Sequence, residues 1–414
     1  DARIAPSSTC KTHPKISSKS FAHKFNQFQT LIMSIDSSKY YSDVLSRLKQ
    51  EGNMRVIPAD RHDSAVVDFS TNDYLGYGSL TLRDMAERDP QLPDLPMTSS
   101  ASRLLAGTQK EYERLEQLLE TVYPGKRALL FNSGYHANTG ILGALADRST
   151  IVLADRLVHA SIIDGILLSR AKMTRFEHNN LDELRRLLRD CYSPEKKIWI
   201  VVESVYSMDG DSADIDALIE IKKEFPGVML YVDEAHAFGV NGPHGLGLVA
   251  ASDNPAMVDV VVATFGKALA SYGAFAMVSD TLRNYLLNRA RSFIFSTSLP
   301  PLQVRWTGLM VERMLEDDDA RRKVQLLAGQ LNEIITEVTG TTTVVSHIQP
   351  LMIGDAHRAV EISRRMAEHD IVVLPIRTPT VPVGSERLRF SLSAALTDKN
   401  MQKLRKVLNS CAEI

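Results

Sequence analysis

Apolar residues recur along the chain in two rhythms. Over 40–50, Val44, Leu45 and Leu48 fall on one side of a 3.6-residue repeat, which predicts an amphipathic helix. An apolar run over 66–70 predicts a strand that leads into Thr71-Asn72-Asp73-Tyr74-Leu75-Gly76. Helices are predicted over 111–122, with Leu115, Leu118 and Leu119 on one face, and over 135–146, 160–169 and 215–224. Strands are predicted over 128–131, 151–154, 198–203, 228–233, 258–264 and 274–278. This alternation implies a mostly parallel sheet covered by helices, an α/β architecture. After Pro300-Pro301 the pattern shifts to a helical stretch over 304–315 and strands near 342–345, 349–353 and 388–392. The expected division is an extension over 1–38, an N-terminal segment over 39–85, a large α/β domain over 86–300 and a smaller C-terminal α+β domain over 301–414.

Composition refines this picture at a few points. The 414 residues, 44% of them hydrophobic and 24% charged, describe an ordinary globular chain long enough for two or three domains. The net charge of −2 gives no reason to expect nucleic acid or an anionic membrane as partner. No apolar run approaches the roughly 20 residues that span a bilayer. Cys10, Cys191 and Cys411 lie far apart, without metal-ligand spacing, which points to a reducing compartment such as the cytoplasm and to no metal site. Residues 1–33 are rich in Ser and Lys and poor in acids, and lack a secretory apolar stretch. One reading is an organelle transit segment; the preferred one is an unstructured extension ahead of a start at Met33.

The candidate chemistry lies at two strand ends. Tyr231-Val232-Asp233-Glu234-Ala235-His236 closes one apolar strand, and Thr264-Phe265-Gly266-Lys267-Ala268 follows another. Parallel strands direct their carboxyl ends to one crevice, so Asp233 and Lys267 can meet there. A lysine able to form a Schiff base and an acid able to keep a pyridine nitrogen protonated suit pyridoxal phosphate (PLP). Taken singly, Asp233 also reads as a loop cap and Lys267 as a solvated surface residue. A third feature, the turn Asn132-Ser133-Gly134-Tyr135 between a strand and a helix, offers a helix N-terminus for an anion such as the cofactor phosphate.

Together with Glu203-Ser204-Val205-Tyr206-Ser207-Met208-Asp209-Gly210-Asp211, these blocks resemble the α-oxoamine synthase family. Its members are PLP enzymes of fold-type I, like aspartate aminotransferase, that condense an amino acid with an acyl-CoA and release carbon dioxide. Phe295-Ser296-Thr297-Ser298-Leu299-Pro300-Pro301 and the tail through Arg387-Leu388-Arg389-Phe390 are most similar to the 8-amino-7-oxononanoate synthase branch. That branch joins L-alanine to a pimeloyl thioester in biotin synthesis. Sister enzymes of the family share the PLP residues and differ in substrate.

The resemblance implies roles for individual residues. Lys267 would carry PLP and move the α-proton, Asp233 would pair with the pyridine N–H, and His236 would bond the ring oxygen. His159 would stack on the ring, and Glu203 would position the cofactor. Ser133, Gly134, Tyr135 and Thr264 would hold the phosphate, joined by Thr297 and Ser298 from the second subunit of a homodimer. Asn72, Ser207 and Arg389 would meet the substrate, Arg389 clamping its carboxylate through a two-pronged hydrogen bond. Arg387, two residues away in an alternating strand, is the rival for that task.

The chain also departs from the branch. Thr98-Ser99-Ser100-Ala101 stands where a glycine-rich stretch is usual, and Ala237-Phe238 follows His236 where glycine and a small hydroxyl residue are usual. Arg55 is the nearest counterpart of the arginine that contacts acyl substrate. These differences bear on acyl choice more than on the PLP chemistry.

Overall fold

A computed structural model describes residues 37–57, 66–107 and 109–411. The readings placed on residues 1–36, including Cys10 and a start at Met33, lie outside the described residues. The chain divides into two compact units, 1–59 and 60–414. In the first, the predicted helix spans Ser37–Gln50 and closes with the Glu51 and Asn53 amides bonded back to the Arg47 and Leu48 carbonyls.

The described residues of the second unit carry twelve strands. In chain order they are β1 (Val67–Asp68), β2 (Arg127–Phe131), β3 (Ile151–Asp155), β4 (Lys172–Phe176), β5 (Ile198–Glu203), β6 (Met229–Asp233), β7 (Val260–Thr264), β8 (Ala274–Val278), β9 (Ile348–Met352), β10 (Ile371–Val372), β11 (Leu374–Ile376) and β12 (Arg387–Ser391). Seven form the large sheet in the order β2-β8-β7-β6-β5-β3-β4, with β8 alone antiparallel to its neighbours. The expected mostly parallel, helix-covered sheet is therefore present.

Its central strands are buried on both faces, so their apolar runs are continuous, as parallel sheets require. The two-residue period sorts side chains between faces. Leu230 and Val232 of β6 join one core cluster, while Tyr231 joins the other, beneath the helices Gly134–Leu145 and Ala160–Ser169. Those helices touch closely because Gly165 lacks a side chain. A Cβ there would stand 2.7 Å from the Asn138 carbonyl oxygen.

The sequence pattern did not mark β4, an edge strand whose residues other than Phe176 keep solvent contact, nor the helix Asp318–Thr339. One expected strand is absent. Residues 342–345 are irregular despite their β-branched composition, and the strand begins at Ile348. The reason is pairing: all five residues of β12 are matched to Ile348–Met352, and β11 occupies the other edge. In this small sheet, β12 is central and brings Arg387 and Arg389 toward the large sheet. The approach is tight, since Gly210, at φ 73°, would place a Cβ 1.9 Å from the Ile348 carbonyl oxygen. The loop carrying Ser207 and Asp209 thus lies directly against the small sheet.

Candidate active site

The carboxyl ends of the parallel strands open onto a cleft of about 490 Å³, lined by Gly134, His159, Glu203, Asp233, His236 and Lys267 among others. Register explains the meeting. Glu203 and Asp233 end the neighbouring strands β5 and β6 and stand opposite each other. Lys267 follows β7 in a turn closed by the Ala270 amide on the Lys267 carbonyl and the Ser271 amide on the Phe265 carbonyl. Its Nζ lies 2.6 Å from His236 Nε2. The ammonium end sits deep in the cleft, and burial pulls it down to about 8, with the Asp233 and Glu203 charges opposing. Burial, reinforced by Asp233, raises the Glu203 carboxyl well above its ordinary range. Burial also keeps His236 neutral, aided by the charges of Lys267 and Arg389. The adjacent Glu234 turns elsewhere. It accepts from Ser204 Oγ and from the Leu248 and Val249 amides, which anchors the following loop.

Asp233 falls on the same face of β6 as Tyr231, and both reach Asn138. Asn138 Nδ2 donates to Asp233 Oδ2 at 2.7 Å and to Ser161 Oγ at 2.9 Å, while Tyr231 donates to Asn138 Oδ1. The Ala235 amide holds the other Asp233 oxygen at 2.8 Å. Ser161 continues the network to His159, with Oγ and the backbone amide 2.7 and 3.2 Å from Nδ1. His159 caps the helix Ala160–Ser169 at the cleft mouth, and desolvation there lowers its pKa against the pull of Asp233. Sequence reasoning missed Asn138 and Ser161. Their signal was a polar residue on the buried face of an otherwise apolar helix.

Across the cleft, Arg389 is buried and donates to the Ser207 carbonyl at 2.6 Å, Ser391 Oγ at 2.6 Å and Asn72 Oδ1 at 3.2 Å. Arg387 is engaged elsewhere, with Asp209 and, at 2.9 Å, the Ser385 carbonyl. At the predicted phosphate-binding turn, Ser133 caps the helix Gly134–Leu145 by accepting from the His136 amide. Thr264 Oγ1 accepts from the Gly266 amide and donates to the Gly273 carbonyl. Thr297 pairs with Ser102 through a β-bridge, and Ser298 donates to the Ala101 carbonyl. Neither residue lines this chain's own cleft. Arg55 belongs to the N-terminal unit, whereas every residue lining the cleft belongs to the other.

Residues 64–408 match the aminotransferase class I and II family. The chain belongs to this family. It is 42% identical over 381 residues to an 8-amino-7-oxononanoate synthase of Haemophilus ducreyi, covering 88% of this chain and 98% of that one. Among solved structures it resembles the 8-amino-7-oxononanoate synthase of Francisella tularensis, with 29% identity, TM-score 0.70, and 84% of this chain and 98% of that one covered. It also resembles a serine palmitoyltransferase of S. paucimobilis solved with a PLP–myriocin aldimine, with 26% identity, TM-score 0.83, and coverage of 91% and 98%. The likeness of the motifs to α-oxoamine synthases is borne out.

The groups present suit the family's cofactor. A half-buried lysine and a buried carboxylate line one cleft. The Gly134 and Tyr135 amides open the helix Gly134–Leu145 ahead of the capped His136 amide, and have no intrahelical acceptor, which suits an anion. Among the described residues, Glu203 Oε1 is buried without a hydrogen-bond partner, as a group awaiting a ligand donor would be. Among the described residues, no cluster of His, Cys, Asp and Glu is suited to a metal ion.

Proposed function

We propose that this chain condenses L-alanine with pimeloyl-CoA, or another pimeloyl thioester, to give 8-amino-7-oxononanoate, CoA and carbon dioxide, a step of biotin biosynthesis. Its cofactor is pyridoxal 5'-phosphate. One observation carries the reading: Lys267 Nζ stands 2.6 Å from His236 in front of the Glu203–Asp233 pair, in a chain 42% identical to a relative named for this reaction.

When bound, the cofactor supplies an electron sink for charge developing at the substrate α-carbon. Lys267 would hold it and, as an amine, would take the α-proton; burial lowers its pKa to about 8, which suits a base working near neutrality. Asp233, held by Asn138 and the Ala235 amide, would keep a proton on the ring nitrogen. His159, His236 and Glu203 would hold and orient the ring, and Ser133, Gly134, Tyr135 and Thr264 would hold the phosphate. Arg389, with Asn72 and Ser207, would grip the amino-acid carboxylate until it leaves as carbon dioxide.

The active unit on this reading is a homodimer, with Thr297 and Ser298 completing the phosphate site of the second copy. Thr297 does not line its own cleft, and Leu105 and Phe295 on the same segments are exposed. Cys191 and Cys411 are free thiols, in keeping with a reducing cytoplasm. Among the described residues, no helix is long and apolar enough to cross a membrane.

The test is product mass from L-alanine and pimeloyl-CoA, run beside glycine or serine with acetyl-CoA or palmitoyl-CoA. Formation of 8-amino-7-oxononanoate as the preferred product supports the reading. Faster turnover of serine with palmitoyl-CoA would assign the chain to the activity of its serine palmitoyltransferase neighbours instead.

A further inference from the structure

Tyr74 is fully buried, and its hydroxyl reaches two groups: His236 Nδ1 at 2.7 Å and Asn72 Oδ1 at 3.1 Å. Beyond His236, Nε2 faces Lys267 Nζ at 2.6 Å. Beyond Asn72, the same Oδ1 accepts from Arg389 Nη2 at 3.2 Å. A run of hydrogen bonds, buried at Arg389, Tyr74 and His236, therefore joins the arginine of the carboxylate site to the Schiff-base lysine, with Tyr74 at its centre. His347 braces it from behind. Its Nε2 donates to the His236 carbonyl at 2.8 Å, and its ring meets Tyr74 edge-on, with centroids 4.5 Å apart.

A phenol has one proton to donate, and two acceptors compete for this one. His236 Nδ1 is the nearer. Asn72 Oδ1 already has a donor in Arg389, and among the described residues Nδ1 has no hydrogen-bond partner besides Tyr74. Burial holds the phenol proton in place, raising Tyr74 to about 12 against the opposing charge of Arg389. Burial also keeps His236 neutral, so its ring carries a single proton. If Tyr74 donates to Nδ1, that proton is on Nε2, the nitrogen facing the cleft.

We propose that in the PLP-loaded enzyme Tyr74 is a positioning residue: it donates to Nδ1 of His236 and so holds the imidazole proton on Nε2, pointing into the cleft as a donor toward the cofactor's ring oxygen. This role rests on the cofactor assignment made above. Without the hydroxyl, His236 is free to carry its proton on either nitrogen, and Nε2 ceases to be a dedicated donor.

The experiment is nitrogen NMR of isotope-labelled histidine in the PLP-loaded protein, wild type beside Tyr74→Phe, which keeps the ring and its packing. Wild-type His236 should be protonated on Nε2, and the variant should lose that preference. The visible bands of the bound cofactor should shift in Tyr74→Phe toward the form with a protonated ring oxygen. Its kcat with L-alanine should fall about tenfold, the size expected for one hydrogen bond, with the alanine KM changed by less than about twofold. A merely structural role would leave the tautomer and the band ratio unmoved. Either an Nδ1-protonated His236 in the loaded wild type or an unchanged tautomer in the variant overturns the proposal. If Tyr74→Phe does not fold, the wild-type tautomer decides alone. A wild type that acquires no visible absorbance with PLP overturns the cofactor assignment and this role together, an outcome distinct from a loaded protein with the other tautomer.

Discussion

Replacing Arg389 with alanine separates two arginines that look equivalent in sequence. Arg387 and Arg389 both project from β12 and both are buried. Arg387 is already neutralised by Asp209. Arg389 donates to a carbonyl, a hydroxyl and an amide oxygen, all neutral, and among the described residues it pairs with no carboxylate. A buried guanidinium with only neutral partners is suited to an incoming anion. A hydrogen bond to a charged group contributes about 1.5–3 kcal/mol. At about 1.4 kcal/mol per factor of ten, Arg389→Ala should raise the L-alanine KM by roughly ten- to a hundredfold, nearer the upper end if both prongs of the fork engage. The KM for the thioester should move by less than about threefold, because the lost contact is made to the other substrate. Steady-state kinetics varying each substrate in turn provide the assay. Circular dichroism checks folding, because the Ser207 carbonyl loses its donor, at a cost of about 1–3 kcal/mol in stability. Arg387→Lys preserves the charge facing Asp209 and should leave the alanine KM within about threefold of wild type. An unchanged alanine KM in Arg389→Ala, or an equal rise in Arg387→Lys, would refute the assignment.

Three further outcomes follow from the same geometry. Lys267→Ala should abolish turnover while still binding PLP noncovalently, and borohydride should fix the cofactor to Lys267 in the wild type alone; full activity in the variant would sink the assignment. Asp233→Asn keeps a hydrogen-bonding group beside Asn138 but cannot stabilise a ring charge. Exchange of the alanine α-hydrogen in deuterated water should then slow by orders of magnitude, and a near-normal rate would point to another acid. His178 bridges Asp155 and Asp211; burial alone would lower its pKa, but the two carboxylates outweigh burial and raise it to about 10 from an ordinary 6.5. Because the folded value is the higher one, the stabilisation is complete below pH 6.5 and is lost as pH climbs toward 10. Urea unfolding of His178→Ala against wild type should show a stability gap that closes over that window; a gap independent of pH would contradict the charged bridge.

What the chain determined by itself is local. Apolar runs ending in Glu203, Asp233 and Thr264 mark strands, and strands that alternate with amphipathic helices form a parallel sheet whose carboxyl ends share one crevice. For that reason Asp233 and Lys267 could be placed at one site from sequence alone. The turn at Ser133-Gly134-Tyr135 was legible for a similar reason, since a helix start exposes its own amides. Other features depended on residues far apart in the chain. Residues 342–345 have the composition of a strand, but β12 offers its pairing edge only to Ile348–Met352. A two-residue period puts Arg387 and Arg389 on one face, and only the arrival of Asp209 across a glycine turn neutralises one and leaves the other for an anion. Asn138 is marked only as a polar residue on a buried helix face, and Tyr74 and His347 carry no local mark, because a polar side chain reveals its task through the partner it meets. Those partners, Asp233 for Asn138 and His236 for both Tyr74 and His347, are brought within hydrogen-bond reach by burial of the core. Side-chain periodicity records which face is buried, whereas the identity of the group on the other side of that face is a property of the packed structure.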